Sequence, residues 1–176
     1  AALLEAGAKD VCVVREVAEA FALKAFWPDA LLFGERGGVP PEGFDFGNSP
    51  AEASHGRNRR VIFTTTTGAG RLLAAWGAPA ALMASVVNST AMARYFEKYP
   101  VDEVVIIPAG LMSDPSFDAR EDWVAAAWIA ARLFALEGNV PGEGYDRYRE
   151  VKDRLDAEGV EALFRTAPHA DKLRAV

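Results

Sequence analysis

Val61-Ile-Phe-Thr-Thr-Thr-Thr-Gly-Ala-Gly-Arg-Leu-Leu-Ala-Ala-Trp76 is the stretch on which the fold turns. Val61–Phe63 is a short β-branched and aromatic run and reads as a strand. Thr64–Gly70 is rich in hydroxyls and glycine, and a helix is predicted from about Arg71 to Trp76. Strand, tight turn and helix in that order form the repeating unit of a parallel sheet. The unit recurs on both sides. Val11–Val14 reads as a strand before a helix over Glu16–Phe26, and Leu31–Phe33 as a second strand. Leu82–Val87 reads as a fourth strand before a helix over Thr90–Lys98, and Val104–Ile107 as a fifth before a helix over Glu121–Leu136. All are continuous apolar runs, the pattern of strands covered on both faces. The expected fold is α/β: one layered α/β/α domain over residues 1–176, with a mostly parallel sheet and helices on both faces. Ala1–Ala6 is already helical, with Gly7 as its stop, so a strand is expected to precede it. Helices over Tyr145–Ala157 and Val160–Thr166 follow with no closing strand, so a C-terminal segment is expected to be missing as well.

Composition narrows the function. The 176 residues are 51% hydrophobic and 25% charged, a globular balance. A net charge of −6 argues against nucleic acid as partner, since a basic face is needed to displace counterions. No membrane partner is expected either, because the longest apolar runs, such as Ala80–Val87, are too short to cross a bilayer. Cys12 is the single cysteine, so no internal disulfide can form, and a reducing, cytoplasmic setting is the expectation. In the first predicted strand it reads as a small buried hydrophobe, without the Cys-x5-Arg context of a thiol phosphatase. His55 and His169 sit in no metal-ligand spacing.

The residues suited to chemistry cluster where strands end. Gly34-Glu-Arg-Gly-Gly-Val-Pro-Pro-Glu-Gly-Phe-Asp-Phe-Gly-Asn-Ser-Pro50 follows the second strand directly. Ligands of parallel α/β sheets bind beyond the carboxyl ends of strands, and long loops there are usually functional. Glu35 and Asp45 are hard oxygen donors of the kind magnesium takes. Arg36 can clamp an oxyanion with parallel hydrogen bonds, and Gly37 and Gly38 let a ligand approach the backbone. The other reading is a surface loop in which Gly and Pro only make turns, with Asp45 and Asn48 capping them. Thr64, Thr65, Thr66 and Gly68 offer hydroxyl donors and close approach at the next strand end, though threonines there also serve as strand formers and caps. No lysine makes this a Walker loop. Asn88 and Ser89 repeat the position before Thr90–Lys98 and are first of all cap candidates. Glu121 and Asp122 open the next predicted helix. They could hold magnesium or its waters, or complete a capping box with Asp118.

Four of these segments together resemble the 2-phosphosulfolactate phosphatase family: Gly34-Glu-Arg-Gly-Gly38, Gly43-Phe-Asp-x-Gly-Asn-Ser-Pro50, Thr64-Thr-Thr-x-Gly68 and Glu121-Asp122, in the family's order and spacing. The resemblance implies a magnesium-dependent hydrolase that releases sulfolactate and phosphate from 2-phosphosulfolactate in coenzyme M synthesis. On that reading Glu35, Asp45, Glu121 and Asp122 are the catalytic and metal candidates. Arg36, Gly37, Gly38, Asn48, Ser49, Thr64, Thr65, Thr66, Gly68 and Asn88 are the candidates for holding a small phosphorylated anion. A homodimer is left open. The chain departs from the family at Thr67, where Asn is usual, at Ala69, where Thr is usual, and at Ala125-Ala-Ala127, where Cys-Ala-Gly is usual. A family Asp-x-x-Arg-Ala segment would precede Ala1. The alternative function is a non-catalytic binding protein for phosphate or a small sulfonated or carboxylated anion.

Overall fold

The computed structural model describes residues 1–110, 119–134 and 145–166. They form two compact units, one of residues 1–82 and one made of the described residues from Met83 onward. In the first unit, α1 (Ala2–Glu5) leads into β1 (Asp10–Val13), α2 (Val17–Phe26), β2 (Leu31–Gly34), a 3-10 helix (Pro50–Gly56), β3 (Arg60–Thr64) and α3 (Gly68–Ala74). The three strands form one all-parallel sheet in the order β1-β3-β2. The last of these three in sequence is thus the central one. Cys12 and Leu32 flank Ile62 in register, and Val61 and Ile62 expose no surface. Burying a side chain of that size stabilises a fold by about 1.5–3 kcal/mol.

α2 begins where a reciprocal cap closes it. The Glu19 carboxylate accepts from the amides of Arg15 and Glu16 at 2.9 and 3.0 Å, satisfying donors that a helix start leaves free. The helix buries Ala20 in a core of Val14, Ala30, Leu32 and Ile62, with Leu23, Trp27 and Phe44 packed around it.

The segment after β2 is more ordered than a connector. It turns at Gly37–Gly38 and then returns along the outer edge of β2. There the Asp45 and Phe46 amides donate to the Leu32 carbonyl at 3.0 and 3.1 Å, and the Gly34 amide donates to the Phe46 carbonyl at 3.2 Å. The Leu32 amide donates to the Asp45 carboxylate at 2.7 Å. Phe46 lies between Phe33 and His55, with ring centroids at 4.8 and 4.4 Å. The return limb therefore satisfies the outward polar groups of β2 and covers an edge that would otherwise stand open.

The second unit is helical among its described residues: α4 (Ser89–Lys98), α5 (Arg120–Phe134), α6 (Tyr145–Glu158) and α7 (Val160–Arg165). Val124 and Ala127 of α5 meet Val151 and Leu155 of α6, flanked by Trp123 and Trp128. No helix among the described residues is long and apolar enough to cross a membrane.

The α/β class and the parallel sheet agree with the sequence reading, but two expected strands do not form. Residues 82–87 and 104–107 carry no strand. Val87 is 86% exposed and Val105 71% exposed. An apolar run becomes a strand only when a neighbouring edge accepts its ladder. The 82–87 run instead folds into a turn, with the Asn88 amide group bonded to Ser85 and Met83. Asp118, the expected capping-box partner, and His169 lie outside the described residues.

Candidate functional site

The carboxyl ends of β1, β2 and β3 are tied together by two consecutive side chains, Glu35 and Arg36. Gly34, the last residue of β2, crosses close to β3: a Cβ there would stand 2.1 Å from the Thr64 carbonyl oxygen. Glu35 follows it and is 9% exposed. Its amide donates to that same Thr64 carbonyl at 3.1 Å. Its carboxylate accepts from the Thr66 amide at 2.6 Å, from the Thr66 hydroxyl at 3.0 Å and from the Gly38 amide at 2.9 Å. Such charge-assisted bonds are stronger than neutral ones, and they join the β2 loop to the β3 loop.

Arg36 is half-buried and reaches the other way. Its guanidinium donates to the carbonyls of Glu35 and Arg15 at 2.7 and 2.6 Å and to the Thr64 hydroxyl at 2.9 Å. The Thr64 hydroxyl in turn donates to the Arg15 carbonyl at 3.0 Å. All three acceptors are neutral, and among the described residues Arg36 makes no ion pair. A guanidinium has five N–H groups, so these three bonds leave two for a ligand.

The remaining first-unit candidates have local duties. Asp45 is exposed, accepts from Leu32 and stands 3.8 Å from the Lys24 ammonium. The Thr65 hydroxyl accepts from the Ala69 amide at 3.1 Å and so braces the start of α3. Ser49 caps the 3-10 helix by accepting from Ala51 at 3.3 Å, and Asn48 and Gly68 are exposed. Gly37 and Gly38 take φ of +62° and +88°, which glycine adopts at low cost.

Asn88, Glu121 and Asp122 belong to the second unit. The Asn88 carboxamide is used in the 83–88 turn. The Asp122 carboxylate accepts from the Gly110 amide at 2.8 Å. Glu121 differs from its neighbour: its Oε2 is buried and has no hydrogen-bond partner among the described residues. An unpaired buried carboxylate oxygen is costly, and a cation is one way to satisfy it. Among the described residues no group of three His, Cys, Asp or Glu side chains is placed to hold a metal. Magnesium commonly takes only one or two protein carboxylates and keeps several waters. Glu121 and Asp122 are consecutive in α5 and do not face each other, which leaves Glu121 the candidate ligand on this helix.

Burial pushes the Cys12 thiol up from its ordinary value, the Asp10 charge pushes it further, and Arg60 offsets part of the rise. A raised value means less thiolate at any given pH. Alkylation of native Cys12 by iodoacetamide at pH 8 is expected to run roughly several-fold slower than that of a free cysteine derivative. A mass-spectrometric time course reads this, and an equal rate would refute it.

The staple role of Glu35 was not readable from sequence. Its partner Thr66 lies 31 residues away, and local spacing carries no signal for such a pairing. The cap at Ser49 did have a signal, in the Ser-Pro pair that opens the 3-10 helix.

Comparison with known proteins places this arrangement in a lineage. The sequence profile of the 2-phosphosulpholactate phosphatase family matches residues 1–176. The chain is similar to a probable 2-phosphosulfolactate phosphatase of Deinococcus radiodurans, 41% identical over 137 residues, covering 76% of this chain and 56% of the relative. A protein of the same name from Carboxydothermus hydrogenoformans is 39% identical over 133 residues, covering 76% of this chain and 54% of the relative. Another from a Synechococcus strain is 32% identical over 184 residues, covering 97% and 72%. The aligned part of the chain thus spans about half the length of the first two relatives.

Proposed function

The chain belongs to the 2-phosphosulpholactate phosphatase family, and from that membership we propose that the protein hydrolyses a small acidic phosphomonoester, with 2-phosphosulfolactate the first candidate. Water would add to phosphorus, the ester P–O bond would break, and the leaving oxygen would take a proton to give 3-sulfolactate and inorganic phosphate. The observation that carries this chemistry is Arg36. Its guanidinium sits at the carboxyl ends of β1, β2 and β3, bonds only neutral acceptors among the described residues and has two further N–H groups to offer an oxyanion. In a protein of net charge −6 such a local cation is needed to draw in a multiply charged substrate.

The test is phosphate release by the purified full-length protein from 2-phosphosulfolactate, beside a panel of other phosphomonoesters. Release from at least one small acidic ester is expected. Thermal stabilisation by phosphate without any release would instead establish the non-catalytic binding protein.

We further propose magnesium as the dissociable cofactor, with Glu121 among its ligands. The support is the Glu121 Oε2, buried without a partner among the described residues. When bound, the ion would neutralise the buried Glu121 carboxylate and supply Lewis acidity to an oxyanion. Glu121→Gln is expected to weaken magnesium binding about tenfold or more, as loss of a charged ligand does. Calorimetric titration with magnesium alone reads this without turnover. Unchanged affinity would remove Glu121 from the metal's ligands.

A further inference from the structure

We propose that Glu35 is a positioning residue for the phosphate site and neither a base nor a metal ligand; the inference rests on the proposed phosphatase reading. Its carboxylate is an anion already held inside the protein. Two main-chain N–H groups, of Gly38 and Thr66, and one hydroxyl, of Thr66, converge on it at 2.6–3.0 Å. Those donors are the kind an oxyanion site offers a substrate, yet here they are filled from within. Oε2 accepts twice and Oε1 once, and the residue is 9% exposed. The consequence is geometric. The carboxylate sets the distance between the β2 loop and the β3 loop. The Glu35 carbonyl, on the same residue, accepts from the Arg36 guanidinium. Glu35 therefore determines where the spare N–H groups of Arg36 point, and touches no substrate itself.

Glu35→Gln tests this, because the carboxamide NH2 takes the place of an acceptor oxygen and faces the N–H donor of Gly38 or Thr66. The KM for substrate and the dissociation constant for inorganic phosphate are both expected to rise about tenfold or more, since small misplacements in a phosphate site are costly. The magnesium affinity is expected to stay at the wild-type value. A magnesium affinity weakened about tenfold, or wild-type phosphate binding, would overturn the proposal. Thr66→Val keeps the backbone donor and deletes only the hydroxyl. It is expected to weaken phosphate binding a few-fold, with Thr66→Ser at wild type. In the double variant with Glu35→Gln, Thr66→Val should add nothing further, because the two act through one contact. Additive effects would mean that Thr66 meets the ligand independently, and would sink the clamp. Should Glu35→Gln fail to fold, the Thr66 pair decides: equal binding by Val and Ser overturns the proposal. Phosphate binding is measured apart from turnover, so the two readings can fail separately. A wild-type protein that binds phosphate without hydrolysis loses the phosphatase reading only. One that binds no phosphate loses the positioning role.

Discussion

Gly34→Ala is expected to lower the melting temperature by roughly 10 °C and to abolish most of the activity, the largest effect of any single methyl added to the sheet. The added Cβ would stand 2.1 Å from the Thr64 carbonyl oxygen and 3.1 Å from its carbon. Those are backbone atoms, and they cannot swing aside as the end of a flexible side chain can. The strands must separate at their carboxyl ends. That breaks the bond from the Glu35 amide to the same carbonyl and displaces Glu35 and Arg36 with it. The cost is about 3 kcal/mol or more, from clash and lost hydrogen bonds together. Thermal melting with circular dichroism, beside turnover on the same preparation, reads both parts. An unchanged melting temperature would show that β2 and β3 do not cross this closely at Gly34.

Arg36→Lys is the second. A loss of about tenfold to a hundredfold in kcat/KM is expected, the equivalent of one charge-assisted contact of about 1.5–3 kcal/mol. Lysine retains the charge but lacks the planar fork. A single ammonium cannot meet the carbonyls of Arg15 and Glu35 and the Thr64 hydroxyl while still offering parallel donors to a phosphate. The competing role for Arg36 is a loop pin paired with a carboxylate of its own loop, Asp45 or Glu42. Asp45 instead binds the Leu32 amide and faces Lys24. Some loss of stability is expected too, since the guanidinium joins three strand ends. Turnover is therefore compared per folded molecule. Wild-type kcat/KM at a lowered melting temperature would make Arg36 a staple and remove it from the phosphate site.

Local patterns in the sequence were legible where one segment suffices to define them. Val11–Val14, Leu31–Phe33 and Val61–Phe63 each differ by a residue or two from the observed β1, β2 and β3, and the helix over Thr90–Lys98 from α4. Apolar runs bounded by glycine, proline or charge carry that information themselves. Leu82–Val87 and Val104–Ile107 have the same composition but no ladder, because a strand is a property of two segments and composition reports one. The candidate site followed the same rule. The loops after β2 and β3 stood out by their Gly and Thr content. That Glu35 grips Thr66 and Gly38, and that Asp45 closes onto Leu32, depended on chain reversals that no spacing encodes.

The return limb at Phe44–Phe46 couples two properties that are usually separable. The peptide that carries the glycine-rich loop is also the one that occupies the outer hydrogen-bonding positions of β2. Shortening or grafting this loop would bare the Leu32 amide and carbonyl and the Gly34 amide, a template on which a second molecule can add a strand. Loop variants of this protein are therefore expected to drop out of solution before their kinetics can be compared, and any evolutionary drift in substrate preference through this loop has to preserve the backbone path of residues 44–46.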